Sequence, residues 1–574
     1  MLCSDHSTIV LKFGSSVLRT AASLPIAVAE IYRHYRDGAH VIAVVSAFEG
    51  VTDTLWGSAR AAGEDLDAGA LAALLSTGEI ASAARLTFAL HRAGIDAQFL
   101  DPRDILLTAD GERALATLRD VSVNQVRTLF KATSVLVVPG FFARHETGGL
   151  ALLGRGGSDL TALYLASELG ANCVLLKDVD GLYESDPARA LTPPRRFALA
   201  DYATAEDCAG PLVQRRALRF ARARTLAVDI AQVGSSHRTR IGEAPSVLAP
   251  LTRRHPIRVA LLGLGTVGGG VLDYLQQFPQ AFEVVGALVR TPEKYIARGV
   301  PAALLTTSPD EIFAREPEIV VEALPGVEPA RTGAEVFLEA GARIVTANKA
   351  LLSEHWSVLA PHLGGPRRAI RYAAAVGGSV PMLETIERLT LRKRIVALRG
   401  VLNGTTNFVL DRCVAGDLLA NAVRRAQAEG LAEADPAEDL SGRDTQRKIE
   451  ILGRVAFGGS PLCEGVSGVT EGSGRFADSI GQLRPRLVAE AERTAHGFTY
   501  RVAPVALPLD DSLASTRGAE NRLQIITADG TVTTLQGLGA GRIPTATAVF
   551  ADLLEHVRVI EAERQTSDES ASVA

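Results

Sequence analysis

The segment RVALLGLGTVGGGVLDYL, from Arg258 to Leu275, predicts a buried strand, a glycine turn and a helix in direct succession. Gly263, Gly265 and Gly268 give the spacing GxGxxG where the strand meets the helix. Glycines at this spacing permit a tight turn and a close approach of the backbone to a pyrophosphate at the helix N-terminus. Glycine-rich turns are common, but the flanking strand and helix make this one typical of a dinucleotide-binding Rossmann domain.

The next strand indicates which dinucleotide is bound. The stretch VVGALVR ends at Arg290, where an acidic residue would bind the ribose 2′-hydroxyl of NAD, and Lys294 follows closely. Two cations suit a 2′-phosphate, so the sequence predicts NADP as the cofactor, with NAD as a possible substitute. The alternative is that Arg290 is only a solvated side chain after a strand.

The length and composition of the chain limit the class of protein. A chain of 574 residues exceeds one ordinary core, and 47% hydrophobic with 22% charged residues is typical of soluble globular domains. The net charge of −5, without a long basic run, disfavours nucleic acid as a partner. The five cysteines form no CxxC pair and predict neither disulfides nor a zinc site. Neither a signal peptide nor a membrane segment is predicted, so we expect a cytoplasmic protein.

Periodicity and proline content divide the chain into segments. Strand and helix patterns alternate in the first and third segments, which predicts mainly parallel sheets. A hairpin that turns at Asp529-Gly530 indicates antiparallel pairing later in the chain. The predicted segments are, in order, a parallel α/β unit at 1–241, a linker at 242–256, a Rossmann domain at 257–380 that is completed by a helix at 544–561, an α+β domain at 381–543 and a flexible tail at 562–574.

A run of charged residues, GLAEADPAEDLSGRDTQRK, carries a candidate site in the α+β domain. If the part from Ser441 is helical, Asp444 and Lys448 are four residues apart and lie on the same helix face. Spacing alone favours a surface salt bridge at a charged helix start.

Six stretches between Arg258 and Glu561 resemble homoserine dehydrogenase, namely RVALLGLGTVGGGV, VEALPG, IVTANKALL, VLNGTTNFVL, GLAEADPAEDLSGRDTQRK and LQGLGAGRIPTATAV. This resemblance implies reduction of aspartate 4-semialdehyde to homoserine with NADPH. It also favours a catalytic role for the charged run over a surface salt bridge.

The resemblance further implies roles for individual residues. Lys448 would donate the proton, Asp444 would position it, and Lys349 would flank the substrate. These residue types suit the reaction because a hydride that arrives at an aldehyde carbon leaves negative charge on oxygen, which an ammonium group stabilises. The substrate-binding residues would be Glu433, Asp439 and Thr405, and the cofactor-binding residues would be Gly263, Gly265, Thr266, Val267, Gly268, Arg290, Lys294, Lys349, Gly539 and Gly541.

The chain departs from this family at three positions. Ala373 replaces a glutamate of a monovalent-cation site, and Ser379 replaces a glycine, so a sodium or potassium site is in doubt. Leu431 replaces a tyrosine that contacts the substrate.

The first 240 residues carry a different set of motifs. VLKFGSSVL places Lys12 before the small residues Gly14, Ser15 and Ser16 at a strand end, which is a composition that can bind phosphate. Alone, this loop favours an ordinary turn. VVSAFEGVTDTL, LLSTGE, VVPGFFARHETGGLALLGRGGSDLTALYLA and LLKDVDGLYESDP follow it, and the set resembles the amino-acid kinase superfamily, aspartate kinase in particular.

This second resemblance implies transfer of a phosphoryl group from ATP, with Mg²⁺, to the side chain of aspartate. Lys12 would contact the transferred phosphate, and Asp159 would lie beside the reacting groups. Glu79 would bind the ammonium of aspartate and Arg155 its α-carboxylate, because a guanidinium can form two parallel hydrogen bonds. The ATP site would be lined by Lys12, Gly14, Ser15, Ser16, Lys177, Asp178, Tyr183 and Asp186.

The kinase motifs also contain departures. Ser15 replaces a glycine, and in AGPLVQRRALRFA the usual lysine is Pro211 and the usual histidine is Gln214. An ammonium group that would face the phosphates is therefore missing, and Lys177, Arg215 or Arg216 could replace it. Paired ACT regulatory domains, which need roughly 150 residues in this family, do not fit between the two units.

The sequence therefore predicts an α/β protein with an amino-acid kinase fold, a Rossmann domain and an α+β domain. Its predicted function is bifunctional, with aspartate phosphorylation and semialdehyde reduction on one chain and a homodimer formed through the dehydrogenase domain. One alternative is a homoserine dehydrogenase with an inactive, kinase-like binding or oligomerisation module. Another is that the kinase unit accepts glutamate, as KFGSSVL also resembles glutamate 5-kinase.

Overall fold

The computed structural model describes residues 7–63, 65–187, 190, 194–210, 212–250, 255–365, 367–473 and 483–573. The chain divides into two units. The first comprises 1–92, 96–256 and 557–574, and the second comprises 93–95 and 257–556. Among the described helices, none is long and apolar enough to cross a membrane.

The first unit alternates strands and helices, as its sequence predicts. Its strands are β1 (Thr8–Phe13), β2 (His40–Val45), β3 (Ala97–Phe99), β4 (Thr108–Asp110), β5 (Thr117–Asp120), β6 (Val135–Pro139), β7 (Phe142–His145), β8 (Leu150–Leu152), β9 (Asn172–Lys177), β10 (Phe197–Asp201), β11 (Val228–Gln232), β12 (Arg238–Gly242) and β13 (Val247–Leu248). Its helices are α1 (Leu24–Arg36), α2 (Val51–Ala61), α3 (Ala68–Arg92), α4 (Val123–Leu129), α5 (Gly157–Leu169), α6 (Tyr202–Cys208) and α7 (Arg215–Ala223).

Nine of these strands form one sheet, in the order β13-β10-β12-β11-β9-β1-β2-β6-β3. The pairs from β11 to β3 are parallel, and β12 and β13 add antiparallel contacts near the other edge. The central strands are apolar on both faces because helices cover both sides. Four short strands form a second sheet, β5-β4-β7-β8. The carboxyl ends of β1 and β9 therefore lie side by side, where ligands bind in open parallel sheets.

The second unit contains two six-stranded sheets. Its strands are β14 (Ile257–Leu262), β15 (Phe282–Leu288), β16 (Leu305–Thr306), β17 (Ile319–Glu322), β18 (Arg343–Thr346), β19 (Ile370–Arg371), β20 (Ile395–Val401), β21 (Ser460–Val466), β22 (Leu483–Arg493), β23 (Gly497–Pro508), β24 (Glu520–Thr527) and β25 (Val532–Leu538). Its helices are α8 (Thr266–Leu275), α9 (Pro292–Ile296), α10 (Pro309–Phe313), α11 (Glu328–Glu339), α12 (Lys349–Leu363), α13 (Met382–Thr390), α14 (Gly404–Val414), α15 (Leu419–Ala428), α16 (Ala437–Leu440), α17 (Arg443–Phe457) and α18 (Arg542–Val573), of which α18 enters the first unit from Val557.

The first of these sheets has the order β16-β15-β14-β17-β18-β19 and is parallel throughout. The second has the order β21-β23-β22-β20-β24-β25 and is antiparallel except between β21 and β23. The predicted hairpin at Asp529-Gly530 joins β24 to β25. The predicted α/β fold class, with a Rossmann sheet followed by an α+β domain, is confirmed.

The start of α18 packs on the Rossmann domain. Phe550 stacks on Tyr274 with ring centroids 5.0 Å apart and on Phe278 at 5.2 Å. The Tyr274 and Thr547 hydroxyl groups form a buried hydrogen bond of 2.8 Å. These contacts hold the helix after the glycine turn against the sheet.

Three sequence predictions need correction. Within the predicted linker, β13 pairs with β10 because its two apolar residues cover an open sheet edge. The stretch AIRYAAAV, whose apolar residues predict a strand, forms only the two-residue strand β19, followed by a 3₁₀ turn at Ala373–Ala375. The tail predicted as flexible after residue 561 continues α18 to Val573, because RQTSDESASV contains neither proline nor glycine to end a helix.

Candidate active sites

The glycine turn of the Rossmann domain forms a close backbone cradle. Gly263 follows β14 with φ of +99°, which favours glycine, and a Cβ atom there would lie 2.7 Å from the carbonyl oxygen of Ala323. A Cβ atom on Gly268 would overlap the carbonyl oxygen of Gly263. Both positions therefore require glycine. The turn leads into α8 through Gly265, the N-cap residue, so the first amide groups of the helix are available to an anion.

Other predicted cofactor residues lie after the neighbouring strand and in the first helix of the Rossmann domain, and at the end of β25. Arg290 and Lys294 are exposed after β15, which pairs with β14 at the same sheet edge. Thr266 and Val267 begin α8. A Cβ atom on Gly539 would overlap the side chain of Asn521, so this glycine also serves packing.

Gly541 connects the last strand to α18 beside the same helix. It has φ of +127° and directly precedes Arg542. The Arg542 guanidinium forms an ion pair of 2.6 Å with Asp273 of α8. Gly541 therefore lies at a turn that brings α18 to the Rossmann helix.

A buried carboxylate joins two lysines in the second unit. Asp444 lies in the first turn of α17, and its Oδ2 atom is 2.8 Å from Nζ of Lys448 on the same helix. Its Oδ1 atom is 2.9 Å from Nζ of Lys349, the first residue of α12. Although burial opposes ionisation, the two ammonium groups hold the pKa of Asp444 well below its usual range. The charge of Asp444 in turn raises the pKa of Lys349.

Asn403, which the sequence analysis did not single out, connects this cluster to a second carboxylate. Its Nδ2 atom donates to Asp444 at 2.8 Å and to Asp439 at 2.7 Å. The Thr405 hydroxyl donates to Asp439 at 2.9 Å and to the carbonyl of Leu431 at 2.7 Å. Asn403 also caps α14 by accepting a hydrogen bond from the Thr406 amide. An asparagine between a predicted strand and a predicted helix indicates such a cap in the sequence.

Glu433, a predicted substrate residue, forms no hydrogen bond or ion pair with the Asp444 cluster among the described residues. Its side chain is exposed, and its backbone carbonyl accepts a hydrogen bond from Gln427. Five predicted residues of this site are thus brought together, namely Lys448, Asp444, Lys349, Asp439 and Thr405.

A second lysine–aspartate–lysine cluster lies in the first unit. Asp159, in the first turn of α5, has Oδ1 at 2.7 Å from Nζ of Lys12 and Oδ2 at 3.0 Å from Nζ of Lys177. The side chains of Lys12, Asp159 and Lys177 are 7%, 6% and 8% exposed, respectively. Despite burial, the two ammonium groups lower the pKa of Asp159.

Glu79 is the other buried acid of this unit. It lies on α3 and accepts a hydrogen bond from the backbone of Ala47. Burial raises its pKa to about 8, although the Lys12 ammonium acts in the opposite direction. Its Oε2 atom is buried and has no hydrogen-bond partner among the described residues. An acceptor of this kind suits the ammonium group of an amino acid.

Most of the remaining predicted kinase residues are more exposed, although Gly14 is buried. The loop Gly14, Ser15 and Ser16 follows β1, and a Cβ atom on Gly14 would lie 3.1 Å from Nζ of Lys12. Arg155 is exposed just before α5, and Tyr183 donates to Asp180 at 2.7 Å. Asp178 and Asp186 are exposed in the segment after β9, and Pro211 lies outside the described residues.

Gln214, which replaces the histidine of the kinase motif, is the residue before α7, and its side chain packs on the GRGGSD turn. A Cβ atom on Gly156 would lie 2.5 Å from the Cγ atom of Gln214. The contact explains why Gly156, with φ of +75°, has no side chain.

A Rossmann sheet with a glycine cradle, followed by an α+β domain with a buried lysine–aspartate cluster, defines the class of nicotinamide-dependent dehydrogenases. The family models for homoserine dehydrogenase and for its NAD-binding domain match residues 381–554 and 263–362, and that of the amino acid kinase family matches 7–231. Homoserine dehydrogenase from Neisseria gonorrhoeae is 33% identical over 324 residues, which cover 54% of this chain and 74% of the relative. The chain belongs to the homoserine dehydrogenase family. The resemblance to homoserine dehydrogenase is confirmed, and so is the resemblance of residues 7–231 to the amino acid kinase family.

Two further proteins are similar to this chain. Homoserine dehydrogenase from Synechocystis is 35% identical over 341 residues, which cover 55% of this chain and 76% of the relative. The solved homoserine dehydrogenase from Thiobacillus denitrificans is 32% identical, with a TM-score of 0.49, over 54% of this chain and 75% of that chain.

Glu79→Gln should stabilise the first unit in a pH-dependent way. The pKa of Glu79 rises from 4.5 to about 8 on folding, so the unfolded chain loses the proton over a range in which the folded chain keeps it. The free energy of unfolding of the wild type therefore falls between pH 4.5 and 8, by at most ~1.4 kcal/mol per pH unit from this group. In urea titrations of the full chain, the free energy of unfolding of Glu79→Gln should therefore rise relative to that of wild type between pH 5 and pH 8. The exposed Glu146→Gln should show no such trend, and a parallel pH dependence of wild type and Glu79→Gln would refute the assignment.

Proposed function

We propose that the second unit reduces aspartate 4-semialdehyde to homoserine. The observation that carries this proposal is the Asp444 carboxylate between the Lys448 and Lys349 ammonium groups, in a chain of the homoserine dehydrogenase family. Bound NADPH would supply the hydride, and the glycine turn fits a dinucleotide because it leads through Gly265 into the N-terminus of α8, whose first amide groups are available to a pyrophosphate.

Lys448 is oriented to serve as the proton donor. An ammonium group has three N–H donors. One is directed to Asp444 and a second to the carbonyl of Leu402 at 2.7 Å, which leaves the third for a substrate oxygen. The hydride forms the new C–H bond, the carbonyl π-electrons move to oxygen, and the Lys448 proton completes the hydroxyl group. Asp444 holds the Lys448 side chain in place through an ion pair of 2.8 Å.

Lys448→Ala should abolish semialdehyde reduction and leave NADPH binding nearly intact. The variant removes the proton donor, which is worth roughly 10²–10⁴ in rate, while Asp444 keeps its contact with Lys349. Steady-state rates and fluorescence titration with NADPH measure the two effects. The exposed Lys393→Ala serves as control. A Lys448 variant that retains most of its turnover would remove the assignment.

The cofactor of this reaction is proposed to be NADPH rather than NADH. Arg290 and Lys294 supply positive charge at the sheet edge next to the glycine cradle, and they suit a 2′-phosphate.

Arg290→Ala should raise KM for NADPH about tenfold and change KM for NADH less than twofold, because a charge-assisted contact worth ~1.4 kcal/mol is lost only with the phosphorylated cofactor. Steady-state kinetics with both cofactors measure this. The exposed Arg424→Ala should alter neither value. An equal loss with both cofactors would contradict 2′-phosphate recognition.

We propose further that the first unit transfers the γ-phosphoryl group of ATP to the side-chain carboxylate of aspartate. An aspartate oxygen attacks the γ-phosphorus, the bond to the bridging oxygen of ADP breaks, and no proton moves. The carboxylate is already a nucleophile, so catalysis needs positioning and charge stabilisation alone. Lys12 stabilises the transferred phosphate, and the unpartnered Oε2 of Glu79 binds the substrate ammonium.

The metal of the kinase reaction would come with the nucleotide. Both oxygens of Asp159 are engaged by ammonium groups, so this carboxylate is a spacer between lysines rather than a metal ligand. Mg²⁺ would therefore be held mainly by the ATP phosphates, where it neutralises charge.

The full chain should form aspartyl hydroxamate from aspartate, Mg·ATP and hydroxylamine, and Lys12→Ala should lower this rate by roughly 10² or more, because a buried cation next to the transferred phosphate is lost. The exposed Lys131→Ala should match wild type. Absence of hydroxamate from the wild type would favour an inactive binding module. A preference for glutamate over aspartate would identify a glutamate kinase.

A further inference from the structure

The topology places Lys177 beside Lys12. Strands β1 and β9 are parallel neighbours, and Lys12 pairs with Leu175 in their register. Because side chains alternate along a strand, Lys177 lies on the same sheet face as Leu175, two residues further toward the carboxyl end. Both lysines thus point to the start of α5, where Asp159 binds one with each carboxylate oxygen.

The other two candidates for the missing cation are unsuited to the role. Arg216 directs Nη1 to the carbonyl of Leu153 and Nη2 to that of Ala116, both at 2.6 Å, and so holds two loops together. Arg215 is exposed at the first position of α7. Only Lys177 is both buried and in contact with the carboxylate that binds Lys12.

The charges of this cluster are unbalanced. Two buried ammonium groups face one buried ionised carboxylate, and Glu79, with a pKa near 8, does not supply a full second negative charge at neutral pH. The further carboxylate that acts on Lys177 is Asp178, which is exposed to solvent. Burial, and then the neighbouring Lys12, lower the pKa of Lys177 to about 8. A buried excess of positive charge is costly unless an anion binds. A polyphosphate would supply the missing negative charge.

We propose that Lys177 is a second phosphate-binding and catalytic ammonium group of the kinase site, in place of the lysine that the segment AGPLVQRRALRFA lacks. Asp159 sets the spacing of Lys12 and Lys177 so that both contact the phosphates of the nucleotide. The phosphoryl-transfer step rests on the function proposed above, whereas the phosphate contact can be tested without turnover.

The test is calorimetric titration of the full chain with Mg·AMPPNP, a non-transferable analogue, and with adenosine. Lys177→Met keeps the length of the stem without the charge, and Lys177→Gln keeps an N–H donor for Asp159. Both should bind Mg·AMPPNP at least tenfold more weakly than wild type and adenosine within twofold, with circular dichroism spectra that match wild type. Lys131→Met, an exposed lysine, is the matched control and should not change either affinity.

Three outcomes would overturn the proposal. The first is that the Lys177 variants bind Mg·AMPPNP within twofold of wild type, and the second is that the wild type does not bind the analogue. The third outcome is that Arg215→Met loses more affinity for Mg·AMPPNP than either Lys177 variant does. A wild type whose binding depends on Lys177 but which forms no hydroxamate would instead refute the kinase reaction and support the phosphate contact. If hydroxamate forms, Lys177→Met should lower kcat by roughly 10²–10³ and change KM for aspartate less than threefold.

A measurement on the unaltered chain keeps the proposal falsifiable if the variants fail to fold. An acyl-phosphate derivative of ATP transfers its acyl group to an amine near the phosphates, and the nucleotide leaves. Mass spectrometry should find acylated Lys177, and excess ATP should prevent the modification. ATP-protected acylation of Lys12 without Lys177 would contradict the proposal.

Discussion

The bond between one buried carboxylate and two ammonium groups governs the dehydrogenase site. Asp444 joins Lys448 of α17 to Lys349 of α12, so two helices meet at a single side chain. An isolated carboxylate at this depth would be neutral, because burial opposes its charge. The two ammonium groups keep Asp444 ionised, and its charge in turn raises the pKa of Lys349. The arrangement therefore places two lysine side chains against one buried carboxylate, next to the position where reduction of a carbonyl group needs a proton donor.

The neighbouring polar groups fix the direction of these charges. Asn403 donates to both Asp444 and Asp439, and it also caps α14, so the start of that helix and the two carboxylates are held together. Each carboxylate oxygen of Asp444 then has an ammonium partner, and Oδ2 has the amide as well. A fully satisfied buried network is rigid, since any rotation leaves a donor or acceptor without a partner. Rigidity of this kind lets Lys448 present one free N–H group in a constant direction.

Local patterns predicted the parts of this site that lie within one element. The strand–turn–helix at Gly263 and the four-residue spacing of Asp444 and Lys448 follow from sequence periodicity, and the structure has both. Lys349 is 95 residues from Asp444, so spacing could not pair them and only the family resemblance did. The sequence does not indicate the role of Asn403, because its amide contacts are tertiary. The sequence predicts a linker where β13 lies, because two apolar residues acquire a strand partner only when the sheet edge exists.

The first unit contains the same arrangement of one carboxylate between two ammonium groups, in a chain whose kinase motif lacks a lysine. The position of Asp159 determines where an ammonium group is stable, because the carboxylate lowers the free-energy cost of burying that charge. The strand that supplies the lysine matters less. A lysine side chain is long and flexible, so different segments around one carboxylate can supply the cation. Arginine is a poorer replacement here, since its planar group needs more space, and Arg216 is already bound to two carbonyl groups. If Lys177 binds phosphate as proposed, the position of this lysine is constrained by its counter-ion, Asp159, more strongly than by its place in the sequence.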